Sequence, residues 1–111
     1  MQIQIQRESQ QIAANDRLEL NQRARHWLRR VQELIRSIYV RITDASSSAG
    51  AQDRACVIEA HLANGRRLEA HARGNVAIVA IDRALRRLAR AIKSQLKREA
   101  AYRELRALIT A

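Results

Sequence analysis

The chain has 111 residues, 47% hydrophobic and 29% charged, a size and balance that fit one folded domain and exclude intrinsic disorder. Its formal net charge is +10, from 21 Lys and Arg against 11 Asp and Glu, so a polyanion is the first partner to expect. The single cysteine, Cys56, excludes an intramolecular disulfide and a Cys-pair zinc site, and no stretch approaches the ~18 apolar residues of a membrane span or reads as a leader, so a reducing, cytoplasmic setting is expected.

Residues 2–6, QIQIQ, alternate polar and apolar and predict a first strand with Ile3 and Ile5 on one side. Asp16 followed by Glu19 resembles a capping box, and Leu20, Ala24, Trp27, Leu28 and Val31 recur at helical spacing, which predicts a first helix from about Arg17 to Glu33. Ile38, Val40 and Ile42 alternate with Tyr39 and Arg41 as a second strand. It is expected to end at the Ser/Ala/Gly-rich segment from Thr43 to Asp53, a loop by composition.

Cys56, Ile58, Ala60 and Leu62 alternate with Val57, Glu59 and His61, and after NGRR so do Leu68, Ala70 and Ala72 with Glu69, His71 and Arg73; these are the strands of a hairpin. A two-residue turn would oppose Leu62 to Arg67 and mix the faces, so an odd-length loop is expected. Pairing Leu62 with Leu68 and Ala60 with Ala70 gives a clean apolar face. It opposes His61 to Glu69 and Glu59 to His71 on the other.

Asn75 is placed to cap a second helix beginning at Val76. At 100° per residue Ala77, Ile78, Ile81, Leu85, Leu88, Ile92 and Leu96 share one stripe, with Arg83, Arg86, Arg87, Arg90, Lys93 and Lys97 roughly opposite. Beyond Glu99 the phase slips: Leu105 and Leu108 fall where the basic face had been. The order β-α-β-β-β-α, with two amphipathic helices to cover one face of a four-stranded sheet, predicts a two-layer α+β sandwich like that of double-stranded-RNA-binding domains.

Cys56 falls on the inward face of its strand, where a free cysteine acts as a small hydrophobe. His61, His71, Glu59 and Glu69 have the chemistry of a metal site, but cross-strand ion pairing accounts for them without one. No phosphate-binding glycine loop, nucleophile elbow or paired-acid motif is present. No enzymatic activity, metal or cofactor is expected.

The basic face is the sharper signal. A solvated helix face interleaves Glu with Lys at i, i+4, whereas from Arg83 to Arg98 there is no acid, and each like-charge pair at that spacing costs a few tenths of a kcal/mol. The first helix adds Arg17, Arg23, Arg25, Arg29 and Arg30, some of which can extend the same field, and the preference for Arg suits bidentate phosphate contacts. A membrane-surface helix needs a free apolar face, which here must cover the sheet. With Trp27, Tyr39 and Tyr102 as the only aromatics, binding to RNA backbone and shape is expected rather than base readout. The alternative is a protein-interaction adaptor whose cationic helix binds an acidic partner, with the out-of-phase tail as a dimer seam.

The segment NGRRLEAHARGNVAIVAIDRALRRLARAIK resembles the ribosome hibernation promoting factor and ribosome-associated inhibitor family, also called ribosomal subunit interface or sigma-54 modulation proteins. The family pattern is a Gly turn, L-x-A-x-A, A-I-D, and K/R-L-x-R-x-hydrophobic-K/R. It is filled by Gly65, Leu68, Ala70, Ala72, Ala80, Ile81, Asp82, Arg87, Leu88, Arg90, Ile92 and Lys93. The opening MQIQI and the strand IRSIYVRI match in character; QRESQQIAAND and the entry to the second helix depart from the pattern, as in a divergent short member.

The resemblance implies a ribosome-binding domain over residues 1–99 with a tail over 100–111. It also implies a stress-response role in translation regulation: occupying the mRNA–tRNA region of the small subunit in the 70S ribosome and touching its rRNA. By position it assigns Arg87, Arg90 and Lys93 to rRNA; Arg83, Arg86 and Lys97 join on helical geometry, and Arg23, Arg29 and Arg30 from the first helix. Whether the protein idles single ribosomes or promotes their pairing, and its own oligomeric state, are left open.

Overall fold

A computed structural model describes residues 1–5, 14–46 and 52–110. The elements run β1 (Gln2–Ile5), α1 (Ala14–Trp27), β2 (Ile35–Ser46), β3 (Gln52–Leu62), β4 (Arg67–Gly74) and α2 (Ala77–Thr110). The strands form one four-stranded sheet in the order β1-β2-β3-β4. β1 lies parallel to β2, as a helical crossover requires, and the other pairs are antiparallel. The α+β order and the two layers are as expected.

Alternation sorts the side chains. Ile38, Val40, Ile42, Cys56, Ile58, Ala60, Leu62, Ala70 and Ala72 are buried on the face covered by the helices, with Ile3 and Ile5 packed at its margin. Ile35 is also buried although it stands three residues before Ile38, because the β2–β3 register shifts between Ile35 and Ser37. That bulge adds one residue and restores the phase.

α1 contributes Leu20 and Ala24, the turn after it Leu28, and α2 contributes Ile81, Leu85, Leu88 and Ile92, all 0–1% exposed. Ala80, Ala84 and Ala89 lie beside them on α2 and let its backbone come close to the strands. Each large aliphatic side chain so buried stabilises the fold by about 1.5–3 kcal/mol. Gly74 joins β4 to α2 under the same constraint: a Cβ there would lie 2.7 Å from the Ala80 backbone N.

The first helix differs from the expected Arg17–Glu33. It starts at Ala14, so Asp16 lies inside it rather than capping it, and it ends at Trp27. A tight turn follows, with Val31 N donating to Leu28 O at 3.0 Å, then a short 3-10 helix, Gln32–Leu34. Leu28 and Val31 still point inward, which explains the apparent continuation of the helical period. Most of the segment expected as a loop is strand: β2 and β3 stay paired out to Ser46 and Gln52, with Thr43 opposite Ala55 and Asp44 opposite Arg54. Small and polar residues have little strand preference of their own, and here cross-strand pairing overrides it. The remainder of that expected loop, and the divergent segment after β1, fall outside the described residues.

The β3–β4 loop is odd in length, as expected, but shorter. Leu62 N donates to Arg66 O at 2.9 Å and Gly65 N to Leu62 O at 3.0 Å, closing a turn over Ala63, Asn64 and Gly65. Gly65 sits at φ +87°, the left-handed conformation that lets three residues reverse the chain. The pairing is displaced by two residues from expectation: Ala60 faces Leu68 and Ile58 faces Ala70. An even displacement preserves the apolar face.

α2 begins at Ala77 rather than Val76, which puts Val76, not Asn75, at its N-terminal boundary; Ala80 N donates to Val76 O at 3.2 Å. It runs on to Thr110, through the change of phase at Glu99, so the tail is helical. The molecule measures 59 × 30 × 20 Å, long because this helix outruns the sheet.

Candidate nucleic-acid interface

All six cations assigned to the outer stripe of α2 are exposed: Arg83, Arg86, Arg87, Arg90, Lys93 and Lys97. Burial of the opposite stripe against the sheet fixes which way they face. Four of them, Arg83, Arg86, Arg87 and Arg90, line a shallow cleft of about 260 Å³. Among the described residues α2 carries no acid between Asp82 and Glu99, so nothing on the helix itself neutralises the stripe.

The stripe divides into held and unheld cations. β4 is a sheet edge, with carbonyls that no neighbouring strand takes. Arg83 donates to Arg73 O at 2.9 Å and Arg87 to His71 O at 2.5 Å, so each guanidinium is fixed by one corner and offers its remaining N–H groups outward. Between them and the strands lies a groove of about 620 Å³ lined also by Arg73, His71 and Cys56. Arg86 stacks over Trp27, 5.1 Å from the ring centroid. Arg90, Lys93 and Lys97 have no intramolecular partner among the described residues. The edge of β4 and Trp27 thus pre-organise half the stripe, and the other half has no such tether among the described residues.

α1 adds less than expected. Arg23 is committed inside the molecule: it donates to Asp82 Oδ1 at 2.9 Å and to Glu19 Oε1 at 3.0 Å, and these hydrogen bonds, the one to Asp82 first, raise its pKa further. Trp27 Nε1 donates to the same Asp82 oxygen at 2.8 Å. Burial works against ionised Asp82, yet the hydrogen bonds from Trp27 and Arg23 and the positive charges of Arg23 and Arg86 outweigh it and hold the carboxyl below its ordinary range. This node ties α1 to α2 beneath Arg86. Arg29 and Arg30 are exposed, but they lie in the turn after α1, not on its helical face.

On the open face of the sheet the histidines and carboxylates are arranged differently from the expected cross-strand pairing. Because of the shifted register, Glu59 stands opposite Glu69 instead of His71, and each histidine pairs with a glutamate two residues away on its own strand. His61 Nε2 lies 2.9 Å from Glu59 Oε1, His71 Nε2 lies 3.4 Å from Glu69 Oε1, and Arg67 approaches Glu59 to 3.8 Å. No group of three or more His, Cys, Asp or Glu gathers among the described residues. Cys56 is buried, and desolvation pushes its thiol up to about 12, which leaves it un-ionised at neutral pH.

The Asp82 node was missed in the sequence, although a signal was there. Asp82 is the one acid in the first part of a cationic helix, next to the buried Ile81, and a half-buried carboxylate needs partners.

Among the described residues, no helix is long and apolar enough to cross a membrane. No family model and no curated protein matches the sequence. Solved structures do. One is a ribosomal subunit interface protein from Coxiella burnetii, with a TM-score of 0.65 and 19% identity over 91% of this chain and 99% of that one. Another is the N-terminal domain of Protein Y from Thermus thermophilus, with a TM-score of 0.54 and 15% identity over 84% of this chain and 93% of that one. The chain therefore has the fold of a ribosomal subunit interface protein, the same group of proteins to which the sequence resemblance points.

Proposed function

We propose that the protein is a ribosome-associated hibernation factor that inhibits translation by occupancy. It lodges in the mRNA–tRNA region of the small subunit of the 70S ribosome, and the outer stripe of α2 neutralises rRNA phosphates. No chemical step and no cofactor are involved, and the protein works in the cytoplasm. The observation that carries this reading is the acid-free, exposed stripe from Arg83 to Lys97, half of it held in place by β4 and Trp27. The shared fold and the resemblance through NGRR to Lys93 support it from a different direction.

Arg90 and Lys93 provide the clean test, since neither has a partner inside the described molecule. The variant combining Arg90→Glu and Lys93→Glu should keep the native unfolding midpoint and lose co-sedimentation with 30S and 70S particles. Wild-type protein that fails to co-sediment at low salt would refute the function. A variant that still binds with unchanged affinity would refute the assigned face.

A further inference from the structure

The far end of α2 is used neither by the fold nor by the cationic stripe. Every residue from 100 to 110 is exposed, including Tyr102 at 60%, Leu105 at 54%, Leu108 at 78% and Ile109 at 74%. At 100° per residue, Ala101, Tyr102, Leu105, Leu108 and Ile109 fall within one arc of about 120°. A helix with no tertiary packing is marginal in water, so a projecting apolar helix calls for cover.

We propose that this arc is a self-association seam, in which two copies lay their projecting helices side by side, antiparallel, about a two-fold axis near Tyr102. The charges bordering the arc select a second copy as the occupant. Glu99 and Arg106 border one side of it, Lys97 and Glu104 the other. In an antiparallel pair each side of the seam stays on its own side, so Lys97 of one copy meets Glu104 of the other about one turn away, while Glu99, already held by Asn64 at 3.4 Å and approached by Arg66 to 3.8 Å in its own copy, lies beside the second copy's Arg106. The negative end of each helix, at Thr110, comes beside Lys93 and Lys97 of the other copy. A parallel pair would instead set Arg98, at the same angle as the arc, against itself and bring the two cationic stripes together.

The geometry permits the arrangement. The last buried residue of α2 is Ile92, and the helix continues to Thr110, so the seam lies clear of the sheet and the two domains sit at opposite ends. The stripe from Arg83 to Arg90 remains outside the overlap. The exposed apolar side chains of two copies amount to at most on the order of 1,000 Å², at the lower edge of specific interfaces, so association should be weak and concentration-dependent.

Sedimentation equilibrium on the nucleic-acid-free 111-residue chain, from micromolar to about 1 mM, reads this directly. The apparent mass should climb from 12.7 kDa towards twice that value. The variant Leu105→Glu with Leu108→Glu should stay monomeric throughout with an unchanged unfolding midpoint. Wild type that is monomeric at every concentration would overturn the proposal and leave the arc to a different protein; a dimer indifferent to the double variant would overturn it as well. Orientation is read by disulfide capture, for which the buried Cys56 is silent. Ala101→Cys should cross-link to its own copy, whereas Leu108→Cys, ~18 Å from its counterpart along the seam, should not. The reverse result would overturn the antiparallel pairing. Ribosomes enter neither measurement, so failure here is separate from failure of the proposed function.

Discussion

Asp82→Asn removes one charge and almost no volume from the node that joins the helices. Asp82 accepts two hydrogen bonds, from Arg23 at 2.9 Å and Trp27 at 2.8 Å. A hydrogen bond to a charged group contributes about 1.5–3 kcal/mol. Asn keeps an acceptor oxygen and forfeits only the charge assistance, and the site is not dry: the side chains of Asp82 and Arg23 are 20% and 38% exposed. The net loss is therefore expected at about 1–2 kcal/mol, or about 5–10 °C in Tm for a domain of this size. Trp27 is the only tryptophan and belongs to the node, so urea melts followed by its fluorescence report the change. The pH dependence fixes the cause. Because the folded carboxyl titrates below its ordinary range, the unfolded chain binds the extra proton first as pH falls. Its stabilisation is complete above the unfolded value of about 3.9 and fades as pH drops through the lower folded value. Wild type and variant should thus differ at neutral pH and converge in acid. Equal midpoints at pH 7, or a gap that persists undiminished in acid, would refute the role assigned to the carboxylate.

The glycines separate strain from collision. At Gly65 an added Cβ meets nothing, so Gly65→Ala should cost only the left-handed conformation, about 1–2 kcal/mol; at Gly74 it meets the Ala80 backbone, so Gly74→Ala should cost more, about 2–3 kcal/mol, and denaturant melts that reverse the order would count against this reading. The Cys56 thiol, buried and pushed up to about 12, should resist alkylation at pH 8 until denaturant opens the core, and labelling at the rate of a free thiol would show the site to be open. Ribosome binding should weaken steeply with salt, log K falling by about 0.7–0.9 per phosphate contact for each log unit of salt, and removing Arg90 should flatten the slope; a salt-independent affinity would rule out phosphate contacts.

The parts of the fold governed by periodicity were legible in the sequence. Side-chain alternation placed the strands and their inward faces, and the 3.6-residue period separated Ile81, Leu85, Leu88 and Ile92 from the arginines correctly. What escaped was set by backbone events that periodicity does not see. The first helix ends at Trp27, but Leu28 and Val31 remain buried through the turn and mimic another helical turn. The hairpin register follows from the conformation of Gly65, and polarity alone fits any even displacement. The strand extension beyond Thr43 depends on cross-strand pairing between residues with little strand preference of their own.

The stripe was legible as a set of cations but not as a mixture of tethered and untethered ones. That difference arises from topology. Placing β4 at the sheet edge leaves carbonyls unpaired beside α2, and a cationic helix packed there supplies donors to them. The contact does two things at once. It blocks another strand from adding to that edge, and it removes rotamer freedom from Arg83 and Arg87 before any ligand arrives. An anion meeting the stripe then finds two guanidiniums already aimed and pays the ordering entropy mainly for Arg90, Lys93 and Lys97. The same packing that closes the core therefore shapes the charged surface, and a substitution that loosens β4 from α2 should weaken binding without touching a single outward-facing charge.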